Sequence, residues 1–434
     1  MVLFLSLSPI LPLFLAQSAQ AQTRLVELIN ADQVTVESDS VQGMVRRLTG
    51  NVVLRQDTTM LYADRAVQVE ARGEVELEGA VRIVSGEVTL RAPRVTYDSN
   101  AKAARAEGDV RIEDEETVLL APSARYLTRT EQAFFEEGGR LLHDGAELTA
   151  PRGTYDAQRK LATFADGVQL EDSTAVLTSE RGTYDTEAER ANFAGSVRLQ
   201  QRGVRLYADS LIHVRQTEQS EAFGQVVVER LGDAEAGPDG GGAPDSTRRT
   251  LLFGAFAAHD AQDRTSYVEG TEDRDPLLVQ LRTDSVGVTD TTLVRARRFD
   301  ALQRDSLGGT LMRIVGVDAI RLVQPRMAAL ADSVVFERLE PSDSTAAVTD
   351  RLALFGEARP SIWFDDAQIT GDTLIAYARA EALDSLDVLG NAFVAQLDTT
   401  LGRIRQMRGR RMQARFVRDS LRALAIWPNA EAIY

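Results

Sequence analysis

His143, His213 and His259 are the only histidines in the chain, and metal ligation or general-base catalysis is the chemistry they would offer. None has a second ligand at metal-binding spacing, so each reads as an ordinary surface or edge residue. There is no cysteine, hence no thiol nucleophile. No G-x-S-x-G elbow, H-E-x-x-H helix or P-loop lysine occurs, and Gly240 to Gly242 lack the preceding strand and the Gly-Lys that a phosphate cradle requires. Asp114-Glu115-Glu116 and Glu136-Glu137 set carboxylates side by side, as glycoside cleavage would need, but neighbouring acids in a strand point to opposite faces. They read as solvated turn charges. The expectation is a chain that is not an enzyme, with no catalytic residue, no metal and no cofactor.

Cationic charge is placed unevenly. Asp and Glu number 65 against 49 Lys and Arg, a formal net charge of −16, which argues against attraction to nucleic acid or anionic surfaces. Only Lys102 and Lys160 are lysines. Arg403, Arg405, Arg408, Arg410, Arg411, Arg415, Arg418 and Arg422 crowd into twenty residues, by default a solvated strand face. Arg408, Arg410 and Arg411 are the possible contacts for an anionic partner, since guanidinium forks bind phosphate or carboxylate bidentately.

The elements that would position such groups follow a tandem period. Leu61-Tyr62-Ala63, Leu90-Arg91-Ala92, Leu119-Leu120-Ala121, Leu148-Thr149-Ala150, Leu177-Thr178-Ser179 and Leu206-Tyr207-Ala208 begin 29 residues apart. Gly50, Gly79, Gly108, Gly195 and Gly224 fall on one ladder of the same step, with Gly138 and Gly167 one place late. Such a period means stacked units with a shared core and no single cleft. Within units the pattern alternates, as in Gly79-Ala80-Val81-Arg82-Ile83, which predicts short strands with one buried face. Tyr97-Asp98, Tyr155-Asp156 and Tyr184-Asp185 mark turns, and the glycines mark bulges or corners.

Residues 1–21 end in Ala19-Gln20-Ala21 after sixteen uncharged residues and read as a secretory signal cut near Ala21. Residues 22–231 hold the regular array, 232–250 a Gly/Pro-rich connector, and 251–434 a looser second copy. There Leu330-Ala331-Asp332 and Ile369-Thr370-Gly371-Asp372 echo Leu206-Tyr207-Ala208-Asp209. The closing segment, through Asn429-Ala430-Glu431, retraces a unit and stops mid-strand, an open edge that either further sequence or another subunit would complete.

The units Gly-x-Val-x-Leu, Leu-x-Ala-x-x-x-x-Tyr-Asp and Ala-x-Ala-x-Gly, with the ending from Gly409-Arg410-Arg411-Met412, resemble the OstA-like (organic solvent tolerance) family, to which LptA and the periplasmic domain of LptD belong. The resemblance implies an all-β fold, an elongated folded antiparallel sheet or β-jellyroll, in two tandem copies. It implies a periplasmic protein that carries lipopolysaccharide or a related glycolipid toward the outer membrane, with acyl chains in an apolar interior. Other Lpt-type transport components and an end-to-end copy of the chain are the implied partners. Residues carried over as interior lipid contacts are Val81, Ile83, Leu90, Val110, Ile112, Leu119, Leu148, Leu170, Leu177, Val197, Leu199 and Leu206. The rival reading is a structural or adhesive β-solenoid that presents its outer face to protein or glycan.

Overall fold

The computed structural model describes residues 26–39, 43–172, 175–201, 203–232, 245–283, 287–306, 309–342, 347–364, 366–379, 382–398, 401–417 and 420–433. The expected signal, residues 1–21, lies outside them. All 32 regular elements among the described residues are β-strands, and every pairing between them is antiparallel. The all-β expectation is met. The described residues divide into two compact units, one running up to Val110 and including Arg125–Glu131, the other comprising Arg111–Ala124 and the described residues from Gln132 onward.

Most strands are long and broken once in the middle. Glu74–Ser85 pairs with Val88–Asp98 in two stretches, Glu74 to Glu78 and Val81 to Ser85, and the register shifts between them at Gly79. Gly79 has φ +101° and Gly224 φ +94°, the left-handed side that a side chain resists. A Cβ at either would collide with the carboxylate of Asp64 or Asp209 on the preceding strand. That carboxylate clasps the corner: Ala80 N donates to Asp64 Oδ2 at 3.1 Å and Gln225 N to Asp209 Oδ2 at 3.1 Å. In the loosely spaced second half Ala358 N donates to Asp332 Oδ2 at 3.0 Å beside Gly356, and Asp372 sits likewise against Gly390. Each bent strand thus contributes one half to each of two wings that fold toward one another.

The turns behave as their residues dictate. Asp98 Oδ1 accepts from Asn100 N and Ala101 N, Asp156 Oδ1 from Arg159 N, and Asp185 Oδ1 from Glu187 N and Ala188 N, all within 2.8 to 3.1 Å. The expected connector 232–250 lies partly outside the described residues, at 233–244. Asp245 to Thr250 are not connector but the start of strand Asp245–Asp260, which pairs with Gln219–Gly232 from Gly232↔Asp245 to Gln219↔Asp260. The alternation of Leu251-Leu252-Phe253 with polar neighbours is too weak to show this strand from sequence, because apolar residues occupy both of its faces.

In each unit the inward side chains form rows that run across the strands. One wing of the first unit sets Leu28, Leu54, Leu61, Ile83 and Leu90 opposite one another in turn. Leu54, Leu61, Ile83 and Leu90 are completely buried. Each contributes about 1.5 to 3 kcal/mol over its exposed state. The other wing carries Leu48, Ala66, Leu77 and Val95, buried as well. In the second unit the corresponding second-wing row alternates large with small: Phe135, Gly153, Phe164, Gly182, Phe193. A Cβ on Gly153 would strike the Phe135 ring, so the glycine makes room for its neighbour. Toward the C-terminus one apolar cluster takes members from both wings, among them Val294, Leu322 and Ile362 from one and Phe299, Leu354 and Val388 from the other.

Candidate functional site

The first-wing row of the second unit is an unbroken aliphatic ladder. Leu119 faces Leu141, which faces Leu148, then Leu170, Leu177, Leu199, Leu206, Val228, Leu252, Leu278 and Val294. It continues through Leu322, Ala329, Ile362, Ile369 and Val394 to Met407. Adjacent rungs are about 4.8 Å apart, the spacing of hydrogen-bonded strands. No polar side chain interrupts the row.

Solvent access along it is uneven. Leu119, Leu141, Leu148 and Leu177 are at most 2% exposed. From Leu199 the rungs open: Leu199, Leu206, Val228, Leu252 and Leu278 are all half-buried, and beyond them Leu322 and Ala329 close again at 3% and 2%. Five consecutive open rungs span about 19 Å.

The twelve interior positions expected from sequence all lie on the inward face, but they differ in what they do. Val81, Ile83, Leu90, Val110, Ile112, Leu119, Leu148, Leu177 and Val197 are at most 2% exposed and are packed core. Leu170, Leu199 and Leu206 are half-buried, and the last two begin the open stretch. Val228, Leu252 and Leu278, which complete it, were not singled out by the sequence pattern. A cavity of about 50 Å³ in the first unit, lined by Val26, Met44, Gln68, Val69, Val75 and Ser99 among others, is too small for a lipid tail.

Polar side chains close the gap between the wing tips over the first array. In the first unit Tyr97 Oη donates to Gln56 Oε1 at 2.6 Å, Gln56 Nε2 to Ser99 O at 2.9 Å, and Lys102 Nζ to Asp57 Oδ2 at 2.6 Å. One unit of sequence further on, Ser85 Oγ donates to Thr128 O at 2.8 Å. In the second unit Tyr155 Oη and Lys160 Nζ both donate to Asp114 Oδ2, at 2.6 and 3.0 Å. Then the ring of Tyr184 stands edge-on to His143 with centroids 5.6 Å apart, and Arg215 pairs with Asp144 at 2.8 Å. The positions recur at the 29-residue step, Tyr97 and Tyr126 against Gln56 and Ser85 in the first unit, Tyr155 and Tyr184 against Asp114 and His143 in the second.

Two expectations are corrected here. Asp114 is no solvated turn charge, since its side chain is 1% exposed. Burial pushes its carboxyl up, but the bonds from Tyr155, Lys160 and the Thr117 backbone outweigh that and hold it below the usual range. Burial raises the Tyr155 phenol, and donation to Asp114 adds to the rise. His143 is not a surface residue either, being 4% exposed, with Nδ1 3.4 Å from Thr117 Oγ1. His213 is half-buried, and burial lowers its pKa against the opposing charge of Asp172. It bonds Ser220 at 3.0 Å, and the exposed His259 bonds Ser266 at 2.8 Å. No group of three or more potential metal ligands occurs among the described residues.

Of the arginines expected to meet an anion, Arg408 is engaged by Glu431 at 2.6 Å, and Arg410 and Arg411 are exposed on the strand Arg403–Val417. Arg405 pairs with Asp398. Arg418 lies outside the described residues.

Among the described residues the fold is an antiparallel sheet folded over an aliphatic ladder. Residues 23–180 and 155–209 match the family described as OstA-like protein, so this stretch of the chain is similar to that family. No curated protein matches the chain. Among solved structures it is similar to the crystal structure of LptH, described as the LptA homologous periplasmic component of the conserved lipopolysaccharide transport device from Pseudomonas aeruginosa. The identity is 14%, the TM-score 0.24, and the match covers 25% of this chain and 82% of that one.

Proposed function

We propose that this protein is a periplasmic carrier of lipopolysaccharide-transport type, with acyl chains of the glycolipid lying against Leu199, Leu206, Val228, Leu252 and Leu278. The observation that carries the reading is the continuity of the aliphatic ladder together with its half-burial at those five rungs. Each methylene removed from water is worth about 0.8 kcal/mol, so a dozen give on the order of 10 kcal/mol before ordering costs. An exposed ion pair to a headgroup adds about 0 to 1 kcal/mol. Tail burial therefore sets the affinity, which reconciles an acidic chain with an anionic cargo.

The OstA-like match over 23–209 supports the reading, as does the export signal read at 1–21. Other components of a lipopolysaccharide-transport device are its partners in this view. End-to-end pairing with a second copy is supported by the exposed Ile29 and Val36 on the strands Glu27–Asn30 and Gln33–Asp39, each of which pairs on one side with Gly43–Gln56. The tightly closed first array serves as scaffold.

Photo-crosslinking residues at Leu206, Val228 and Leu252 test the proposal, with outward-facing Arg205 and Gln225 as controls. Capture of lipopolysaccharide at the three inward positions and not at the controls is expected in protein isolated from its own envelope. Capture at neither set refutes the carrier.

A further inference from the structure

The outer face of the ladder wing changes chemistry along the second unit. One outward row reads Arg140, Thr149, Gln169, Thr178 and Arg198 in its first stretch, the polar skin expected of a solvated sheet. It then continues through Tyr207, Val227, Phe253 and Leu277. The outward row beside it runs from Leu251 through Val279, Leu293 and Val323 to Ala328 and Trp363. Tyr207, Leu293, Leu330 and Trp363 are exposed, and Val323 is 49% exposed. From Tyr207 to Trp363 this face crosses eight paired strands, about 34 Å. A contiguous exposed apolar patch of this kind marks an interaction site.

The cations on the face select the partner. Leu277 is followed in its row by Arg295, Arg321 and Leu330, so the register sets two exposed guanidiniums directly opposite each other. Like charges so placed weaken a strand pair, and an anion lying over both relieves them. In a chain with 65 acidic residues, neither row holds one from Tyr207 to Ser361 or from Leu251 to Trp363. We propose that this face lies flat on an anionic phospholipid leaflet, with Leu293, Val323 and Trp363 at the base of the headgroups and Arg295 and Arg321 on lipid phosphates. Guanidinium forks take phosphate bidentately, and an indole suits the border between apolar and wet phases. The net charge of −16 acts at a distance, but within a Debye length, about 8 Å, the leaflet meets the local pair of cations. A second copy laid face to face about a two-fold axis through the patch would bring four guanidiniums together. The contact lies outside the folded sheet and is independent of what the interior carries.

Vesicles of phosphatidylglycerol with phosphatidylethanolamine, and vesicles of phosphatidylcholine alone, are the probes, and flotation of the exported chain is the readout. The chain should float with the anionic vesicles and not with the neutral ones. Arg295→Gln with Arg321→Gln should lower the bound fraction at least tenfold, since each cation at an anionic surface is worth about fivefold. Val323→Thr with Trp363→Thr should lower it as far. Arg140→Gln with Arg159→Gln removes the same charge outside the patch and should stay within twofold. A chain with Trp427→Phe keeps Trp363 as its single indole, so brominated phosphatidylglycerol should quench its fluorescence whatever the fate of the other variants. Failure to float with anionic vesicles, or an unquenched Trp363, overturns the proposal and leaves the carrier reading standing. So does retention of flotation within twofold by either patch variant. A dimer in sedimentation that the patch variants dissolve, with no vesicle binding, would assign the face to a second copy instead.

Discussion

Two leucines in the same row should respond differently to truncation. Leu148 is fully buried between Leu141 and Leu170. Leu148→Ala removes its transfer free energy and leaves a cavity in a wing that the Asp114 latch holds shut, so the cost should fall at about 3 to 5 kcal/mol. Leu252 is half-buried between Val228 and Leu278. Only part of its surface leaves water on folding and no closed cavity results, which limits Leu252→Ala to about 1 kcal/mol. In a stacked array these losses are local, so amide hydrogen exchange of the flanking strands measures them better than a single melting temperature. For lipopolysaccharide the order reverses. Leu252→Ala forfeits contact with one or two methylenes, about 1 to 2 kcal/mol or roughly 5- to 30-fold in affinity, and Leu148→Ala leaves affinity within about twofold. Equal stability losses at the two positions would mean that the row is closed at Leu252 as well, and the proposed seat would not exist.

The other predictions concern corners, latches and surface. Gly224→Ala places a Cβ at φ +94° against Asp209 and breaks the clasp to Gln225 N, for about 2 to 3 kcal/mol. Gly203→Ala, at φ +73° with nothing within 4 Å, should cost only about 1 kcal/mol in the same urea titration. Because the folded-state pKa of Asp114 is depressed, its contribution is full above the ordinary carboxylate range and is lost as pH falls through the folded value. Asp114→Asn should therefore destabilise at pH 7 and flatten the acid limb of a stability-versus-pH curve, and an unchanged acid limb would contradict the latch. Replacing exposed Arg410 and Arg411 together by Gln should change lipopolysaccharide affinity by less than about fivefold, measured at low and moderate salt.

The two wings were legible because the leucine and glycine repeats keep a 29-residue step, and alternation names the inward side chains without further information. Alternation says nothing about whether that face is sealed. Leu148-Thr149-Ala150 and Leu206-Tyr207-Ala208 look alike in sequence, yet one leucine is core and the other borders the open stretch. What separates them lies at the wing tips, where Gln56, Ser85, Asp114 and His143 recur in step but not in chemistry, each 41 residues ahead of a tyrosine. The regular column of tyrosines was the visible half of that pairing. His143 was misread because it looked solitary, and Asp114 because it sat in a run of acids, until the fold set a tyrosine over each. One corner of the second half persists without a glycine: Asp318 and Ala319, at φ +62° and +54°, turn the strand Gly309–Gln324 between Val317 and Ile320. No repeat of glycine spacing would locate it.

The clasped corners make the length of the sheet a quantity that changes only in whole steps. One 29-residue module supplies an up strand, a down strand and both reversals, so excision or duplication of a module shifts the wall by two strand spacings, about 10 Å, and leaves the remaining corners in step. A change of one residue has no such refuge, since it displaces the kink from the carboxylate that clasps it and turns a greasy wall outward. Relatives built on the same plan should therefore differ in reach by multiples of that step.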